Sequence, residues 1–500
     1  MRARTVLCLV GVAALLVVVP AHASTGRWIV GYRTEAALRG LEVMRVLPAL
    51  HVAEVRGRGR RRPGIRFVQP LVTRSTTAEP ALVPASGAAP LEWQFDAARV
   101  GGVPDWVLRA AAGITIAVVD TGADLSAPDL AAKSPAAYNV RNGTANVRDT
   151  NGHGTFVASL AAGSVTNGEG ISGFGGDAKL LIVKAGANDG SFTDVDEAAG
   201  IVYAVDHGAR IVNLSLGGRK TSRIEREAIS YASAHGVLIV AAAGNEMGAS
   251  RKPEYPAALL QPPGSQGRGG VGLAVAASTH DGLRAAFSNA GSYVSLAAPG
   301  DQVFGALSSL SSRNEYPRVP LPGSLAGVYG FASGTSFAAP EVAGAAALVW
   351  AANPLLSATQ VADLLKQTAT GGGWTPELGY GVVDVGAAVA AATGKSTVVL
   401  TGTPDPQGVE LQWRSRGPAA AFRVAASIDG GPREVVAGPT TGTATSLILD
   451  GAHAYSFTVE ALDADGKVAG VSKPYRLVLR HPSLRSIDAP MLRSRSSMRS

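Results

Sequence analysis

The sequence predicts an α/β fold in which a parallel sheet is flanked by helices, preceded by a small α/β unit and followed by a β-sandwich. Three observations predict it. Between Leu91 and about Thr393, β-branched runs alternate with alanine-rich helical stretches, the pattern of a parallel sheet covered on both faces. From about Ser396 to Leu479 the texture changes to short alternating strands separated by turn signals such as Asp429-Gly430 and Asp465-Gly466. Three glycine-flanked polar segments, Val118-Val119-Asp120-Thr121-Gly122, Asn151-Gly152-His153-Gly154-Thr155 and Ser333-Gly334-Thr335-Ser336-Phe337-Ala338-Ala339-Pro340, punctuate the alternating region.

Composition fits a globular chain. Its 500 residues, 46% apolar and only 17% charged, suffice for two or three packed domains, and 61 glycines imply many tight loops. The N-terminus carries Arg2 and Arg4, an apolar run from Val6 to Val19 and then Ala21-His22-Ala23, which reads as a signal peptide over residues 1–23 and predicts export. The run is short for a spanning helix, which needs about 20 apolar residues, so no stable membrane span is expected. Cys8, the one cysteine, lies within that run. The mature chain would hold no disulfide or thiolate site, and packing or bound calcium would have to restrain its loops. The net charge of +7 owes much to Arg56–Arg62 and to the Arg-Ser-rich end from Arg493 to Ser500. Neither run is interleaved with aromatic residues, so no nucleic-acid partner is expected.

Element by element, Trp28–Tyr32 reads as a strand, Thr34–Val46 as an amphipathic helix, and Leu50–Val55 and Ile65–Val68 as strands, a small unit over residues 24–75. A Thr/Ala/Pro-rich stretch from Thr73 to Pro90 suits a flexible linker, with cleavage expected within 76–90. In the region 91–395 the predicted strands are Ile114–Val119, Leu180–Val183, Ile211–Leu216, Val237–Ala241 and Gly272–Ala276, and Phe304–Tyr329 reads as an irregular loop. Residues 396–480 form the expected β-sandwich. The end, 481–500, is basic, lacks apolar periodicity and is expected to be disordered.

The three polar segments supply an acid, a base and a nucleophile in the order Asp, His, Ser, which among Ser-His-Asp hydrolases is the subtilisin order. With these motifs the chain resembles the subtilisin-like serine peptidases. Asp120, His153 and Ser336 are then the triad of a secreted endopeptidase acting on polypeptides. Ser336 falls at the start of an apolar helix, with Pro340 expected in its first turn, so backbone N–H groups and the helix dipole face developing negative charge. Gly152 and Gly154 should leave an edge-exposed imidazole, and with an ordinary histidine pKa of about 6.5 activity is expected to rise through about pH 6 to 8.

The resemblance implies more. Asn245, in Ala243-Gly244-Asn245-Glu246, matches the family's oxyanion-hole asparagine. Ser215, Leu216 and Gly217 resemble the segment that pairs with an extended substrate, and with Ala242, Ala243 and Gly244 they would line the pocket for the side chain before the cut. Those walls are small and uncharged, which predicts apolar or broad preference. Ala127-Pro128-Asp129-Leu130 resembles a calcium segment with alanine first, and Asp129 with Asn167 could hold a structural calcium; no cofactor is expected for the chemistry. Residues 24–75 resemble a subtilase propeptide, an intramolecular inhibitor and folding aid, and the Trp413 and Tyr455 contexts look like a fibronectin type III domain. A monomer is expected. Glu341 stands where many bacterial relatives have histidine.

Other classes fit less well. An aspartic protease needs a second Asp-Thr-Gly or Asp-Ser-Gly, which this chain lacks, although a dimer could supply one. An esterase would prefer a Gly-x-Ser-x-Gly elbow. A catalytically silent binding protein would not need all of Asp120, His153, Ser336 and Asn245.

Overall fold

A computed structural model describes residues 26–57, 59, 61–76, 91–167, 170–246, 253–311, 316–319, 328–394, 396–405, 407–416, 419–450, 453–478 and 493–495. The expected signal peptide and residues 77–90 of the expected linker lie outside them. The chain divides into two compact units between Leu71 and Val72.

The first unit is an antiparallel sheet in the order Glu42–Leu47, Val52–Arg56, Arg27–Tyr32, Ile65–Pro70. Val30, Tyr32, Leu38, Ala53 and Val55 form its core. The expected helix from Thr34 to Val46 is replaced by a 3-10 turn, Glu35–Leu38, and an edge strand, Glu42–Leu47. Gly40, at φ +75°, turns the chain between them. Val43 and Val46 then pair with Val55 and Ala53, where β-branched side chains fit a pleated ladder.

The second unit is built on a seven-stranded sheet in the order Leu296–Pro299, Gly272–Ser278, Leu238–Ala242, Ile211–Leu214, Thr115–Asp120, Lys179–Lys184, Ala136–Asn139. Every pairing is parallel. From Thr115–Asp120 the chain first builds toward one edge and later toward the other, so the strand order reverses between Thr115–Asp120 and Ile211–Leu214. Ligands of open α/β sheets bind outside the carboxyl ends of strands at such a reversal. The expected strands are all present within a residue or two, except that Ile211–Leu216 is split into Ile211–Leu214 and the short Leu216–Gly217.

Helix Thr335–Ala352 is buried over nearly its whole length and packs on the central strands and on helix His153–Ala162. Its apolar character all round is what a helix enclosed by sheet and helices requires. The segment expected to be irregular from Phe304 to Tyr329 instead contributes a small antiparallel sheet of Val303–Leu307, Val328–Ala332 and Arg318–Val319.

Thr73–Thr76, expected to open the flexible linker, is a strand. It lies antiparallel between Leu216–Gly217 and Ser191–Thr193.

The C-terminal region forms two antiparallel sheets. One holds Thr397–Asp405, Gly408–Arg416, Ala444–Ile448 and Arg493–Arg495; the other holds Glu434–Thr440, Ala421–Ile428, Ala454–Leu462, Val468–Val471 and Tyr475–Val478. Val409, Leu411, Trp413, Val424, Phe457 and Val459 are among the core residues they enclose. The Tyr455 hydroxyl donates to the Asp450 carbonyl at 2.8 Å, fixing a corner of the sandwich. Three residues of the end expected to be disordered, Arg493–Arg495, pair with Ala444–Ile448.

Candidate active site

Asp120 ends its strand beside the reversal in strand order, and a Cβ on Gly154 would lie 3.1 Å from its Oδ1 and 2.2 Å from the Gly122 carbonyl oxygen. That approach needs glycine. It lets the first turn of helix His153–Ala162 rest on the Asp120 turn, and His153 Nδ1 then lies 2.8 Å from Asp120 Oδ1. Asp120 Oδ1 also accepts the Thr121 N–H at 2.7 Å. Both side chains are fully buried, so the expected edge-exposed imidazole is an enclosed one. The flanking glycines serve close backbone packing instead.

Asp149 organises this corner, although no sequence motif marks it. Its Oδ1 accepts the Thr121 hydroxyl at 2.9 Å and the Gly152 N–H at 2.8 Å, while Oδ2 accepts the N–H and hydroxyl of Thr155 at 2.9 and 2.7 Å. A buried carboxylate is thereby satisfied by donors of the histidine helix and of the Asp120 turn. Lys184, opposite Asp120 in the parallel ladder, donates to the Thr121 carbonyl; burial depresses its pKa, against the pull of Asp149 and Asp120.

Ser336 is the second residue of helix Thr335–Ala352, and the next residue, Phe337, sets its ring 5.6 Å from the His153 ring. Ser336 Oγ lies 3.4 Å from the Ser215 carbonyl oxygen. Pro340 falls inside the helix rather than in its first turn. It has no N–H for the Ser336 carbonyl four residues back. The Ser215 hydroxyl donates to that carbonyl at 2.7 Å.

Asn245 follows strand Leu238–Ala242, and its Oδ1 accepts both the N–H and the hydroxyl of Thr335 at 2.9 Å. The Thr335 hydroxyl accepts in turn from the Gly244 N–H at 3.0 Å. This fixes the Asn245 amide, with Nδ2 3.1 Å from where a Cβ on Gly334 would sit, beside the turn that leads into Ser336.

Ser215, Leu216 and Gly217, and Ala242, Ala243 and Gly244, are all buried. Behind them lies a carboxylate that no motif in the sequence announces. A Cβ on Gly217 would meet Glu254 Oε1 at 2.5 Å, and one on Gly244, at φ +102°, would meet Oε2 at 1.7 Å. Glu254 accepts from Asn289 Nδ2 at 3.1 Å, and burial, reinforced by Glu246, pushes its pKa up to about 7. An ionisable group thus stands behind two segments that are themselves uncharged.

Asp129 and Asn167 do come together, with Asn167 Nδ2 3.4 Å from Asp129 Oδ1. Asp129 is buried and also accepts the Ile171 N–H at 3.0 Å and the Tyr329 hydroxyl at 2.9 Å. Glu92 is a second, half-buried carboxylate, raised in pKa first by burial and also by the charge of Asp129. Burial likewise raises Asp129. Two desolvated, mutually repelling carboxylates with an amide beside them make an oxygen-rich set that fits a hard cation such as calcium.

A model of the Subtilase family matches residues 111–381, the stretch that carries Asp120, His153 and Ser336. The chain belongs to the subtilase family. Thermitase from Thermoactinomyces vulgaris is 33% identical over 276 residues, covering 55% of this chain and 88% of that protein. Subtilisin Savinase from Lederbergia lenta is 36% identical over 276 residues, 55% of this chain and 90% of that one. Among solved structures, fervidolysin from Fervidobacterium pennivorans, described as a keratinolytic enzyme related to subtilisin, superposes with a TM-score of 0.63 at 24% identity, covering 91% of this chain and 76% of that one. At that identity the likeness speaks for the fold. This subtilase is a serine-type endopeptidase with a subtilisin-like fold.

Proposed function

We propose that this subtilase hydrolyses polypeptides through Asp120, His153 and Ser336, and that it is exported behind a signal peptide (1–23) and matured by removal of a propeptide (24–75) through a cut within 76–90. The buried 2.8 Å contact between Asp120 and His153 carries the reading. With Nδ1–H donated to Asp120, the His153 Nε2 takes the proton of Ser336 as Oγ bonds to the substrate carbonyl carbon. The oxyanion faces the first turn of helix Thr335–Ala352 and the Asn245 amide NH2. His153 then delivers its proton to the leaving amine as the C–N bond breaks, and water attacks the acyl-enzyme by the reverse proton path.

Ser215–Gly217 and Ala242–Gly244 position the substrate. Calcium, held by Asp129, Asn167 and Glu92, would cross-link the loop after the histidine helix and supply stability rather than chemistry. The C-terminal sandwich, read as fibronectin type III-like, binds a surface, substrate or protein, and the enzyme acts as a monomer.

Intact-mass analysis of wild type and Ser336→Ala, each with and without a fluorophosphonate probe, tests the proposal. Wild type should lose an N-terminal fragment ending within 76–90 and gain one probe mass, while the variant does neither. Full-length wild type that takes up no probe would move the chain to the catalytically silent class.

A further inference from the structure

The strand Thr73–Thr76 is held in the way an extended substrate would be. Thr76 pairs with Leu216 and Ser75 with Gly217 on one side, while Thr73, Arg74 and Ser75 pair with Thr193, Phe192 and Ser191 on the other. The Thr76 N–H donates to the Gly190 carbonyl at 2.9 Å, and the Val72 N–H and carbonyl engage the Asp194 carboxylate and N–H at 3.1 and 2.9 Å. The register sets the distance to the chemistry. One step beyond the Thr76–Leu216 pair comes Ser215, whose carbonyl lies 3.4 Å from Ser336 Oγ. An extended chain continued in this register would place the residue opposite Ser215, at the nucleophile, three positions after the one held as Arg74 is.

Arg74 is enclosed, its side chain fully buried against two equally buried glutamates. Nε donates to Glu197 Oε2, Nη1 donates to the Lys220 carbonyl at 2.8 Å, and Nη2 lies 2.7 Å from Glu225 Oε1 as an ion contact without hydrogen-bond alignment. Glu197 sits in the first turn of helix Asp194–Asp206 and Glu225 in the first turn of helix Arg223–Ala234, where it also closes a capping box with Ser222. Helix N-termini favour the two negative charges there. Burial and the charge of Glu197 nevertheless raise Glu225 to about 8 beside the arginine. Without a cation the pocket would hold two buried carboxylates facing each other, which is costly.

We infer that Glu197 and Glu225 form a specificity pocket of this enzyme for an arginine side chain, three residues before the residue whose carbonyl is attacked, and that Arg74 occupies it before maturation at the bond after Thr77. The planar guanidinium meets three partners at once, which a lysine ammonium cannot match. The inference rests on the endopeptidase reading above.

Its test uses the matured enzyme, with active sites counted by the fluorophosphonate probe, and peptides Val-Thr-X-Ser-Thr-Thr carrying a fluorogenic amide, with X as Arg, Lys, Leu or Ala. The Arg peptide should exceed the Leu and Ala peptides in kcat/KM by about tenfold or more, with Lys between. Glu225→Gln, which keeps the capping box, and Glu197→Gln should each shrink the Arg-to-Leu ratio severalfold. Equal rates for Arg and Leu on wild type overturn the pocket and leave the endopeptidase standing, and that comparison needs no variant to fold. Probe uptake with no peptide cleaved also overturns the pocket, whereas absence of both uptake and cleavage overturns the endopeptidase reading beneath it.

Discussion

The Ser215 hydroxyl donates to the Ser336 carbonyl, the oxygen that Pro340 leaves without a helical N–H. The segment that pairs with Thr73–Thr76 and the backbone of Ser336 are thus joined by one bond, itself supported by Asn213 Nδ2 donating to Ser215 Oγ at 3.0 Å. Ser215→Ala should cost about 1–3 kcal/mol, since it strips a buried carbonyl of its donor. Urea unfolding of the Ser336→Ala background, with and without the second change, measures this free of self-digestion. An unchanged midpoint would mean that the carbonyl finds another partner.

Asn245→Ala should lower kcat by about 10²–10³ with KM little altered, the size of loss that follows removal of subtilisin's own oxyanion-hole asparagine. Thr335→Val, which removes the hydroxyl that pins Asn245 and Gly244, should reproduce a smaller part of that loss. Burst and steady-state kinetics on one peptide amide separate the two; a KM effect without a kcat effect would assign Asn245 to ground-state binding.

Glu341 lies fully buried inside helix Thr335–Ala352, with neither carboxylate oxygen hydrogen-bonded among the described residues, and burial holds its pKa well above the usual range. The folded chain keeps a proton that the unfolded chain releases above about pH 4.5, so the folded state loses stability as pH rises from there toward the native pKa. Glu341→Gln removes that slope. Relative to the parent, it should gain about 1.4 kcal/mol per pH unit across this window. Parallel stability curves for the two proteins between about pH 5 and 8 would contradict the assignment.

Chelation should lower Tm by a few degrees if calcium sits with Asp129, Asn167 and Glu92, since a ligand at about 100 times its Kd contributes about 2.7 kcal/mol. Asp129→Asn should abolish the difference. An identical Tm with and without chelator would remove calcium from this site.

Much of the candidate site was legible because it is written in short strings: glycines that let turns approach, a strand end for Asp120, a helix start for Ser336. Asn245 was readable only beside those motifs. Asp149 was not, because nothing in its own string distinguishes it from a loop aspartate until Thr121 is brought beside it; Glu254 and the Arg74 pocket were not, because each meets partners remote in sequence, Arg74 and Glu197 being 123 residues apart. Local periodicity misread Thr34–Val46, where the Gly40 turn and pairing with Val52–Arg56 outweighed a helical spacing of apolar residues.

The enclosure of helix Thr335–Ala352 has a consequence for how this enzyme can change. Ser336 rides on a shaft gripped along its length by sheet and helix, so any adjustment of it is transmitted to the packing around that helix. The segments that hold an extended chain are short by contrast: Leu216–Gly217 and Ser191–Thr193, two and three residues long. New preferences can be written into those thin margins and the side chains behind them while the shaft stays as it is.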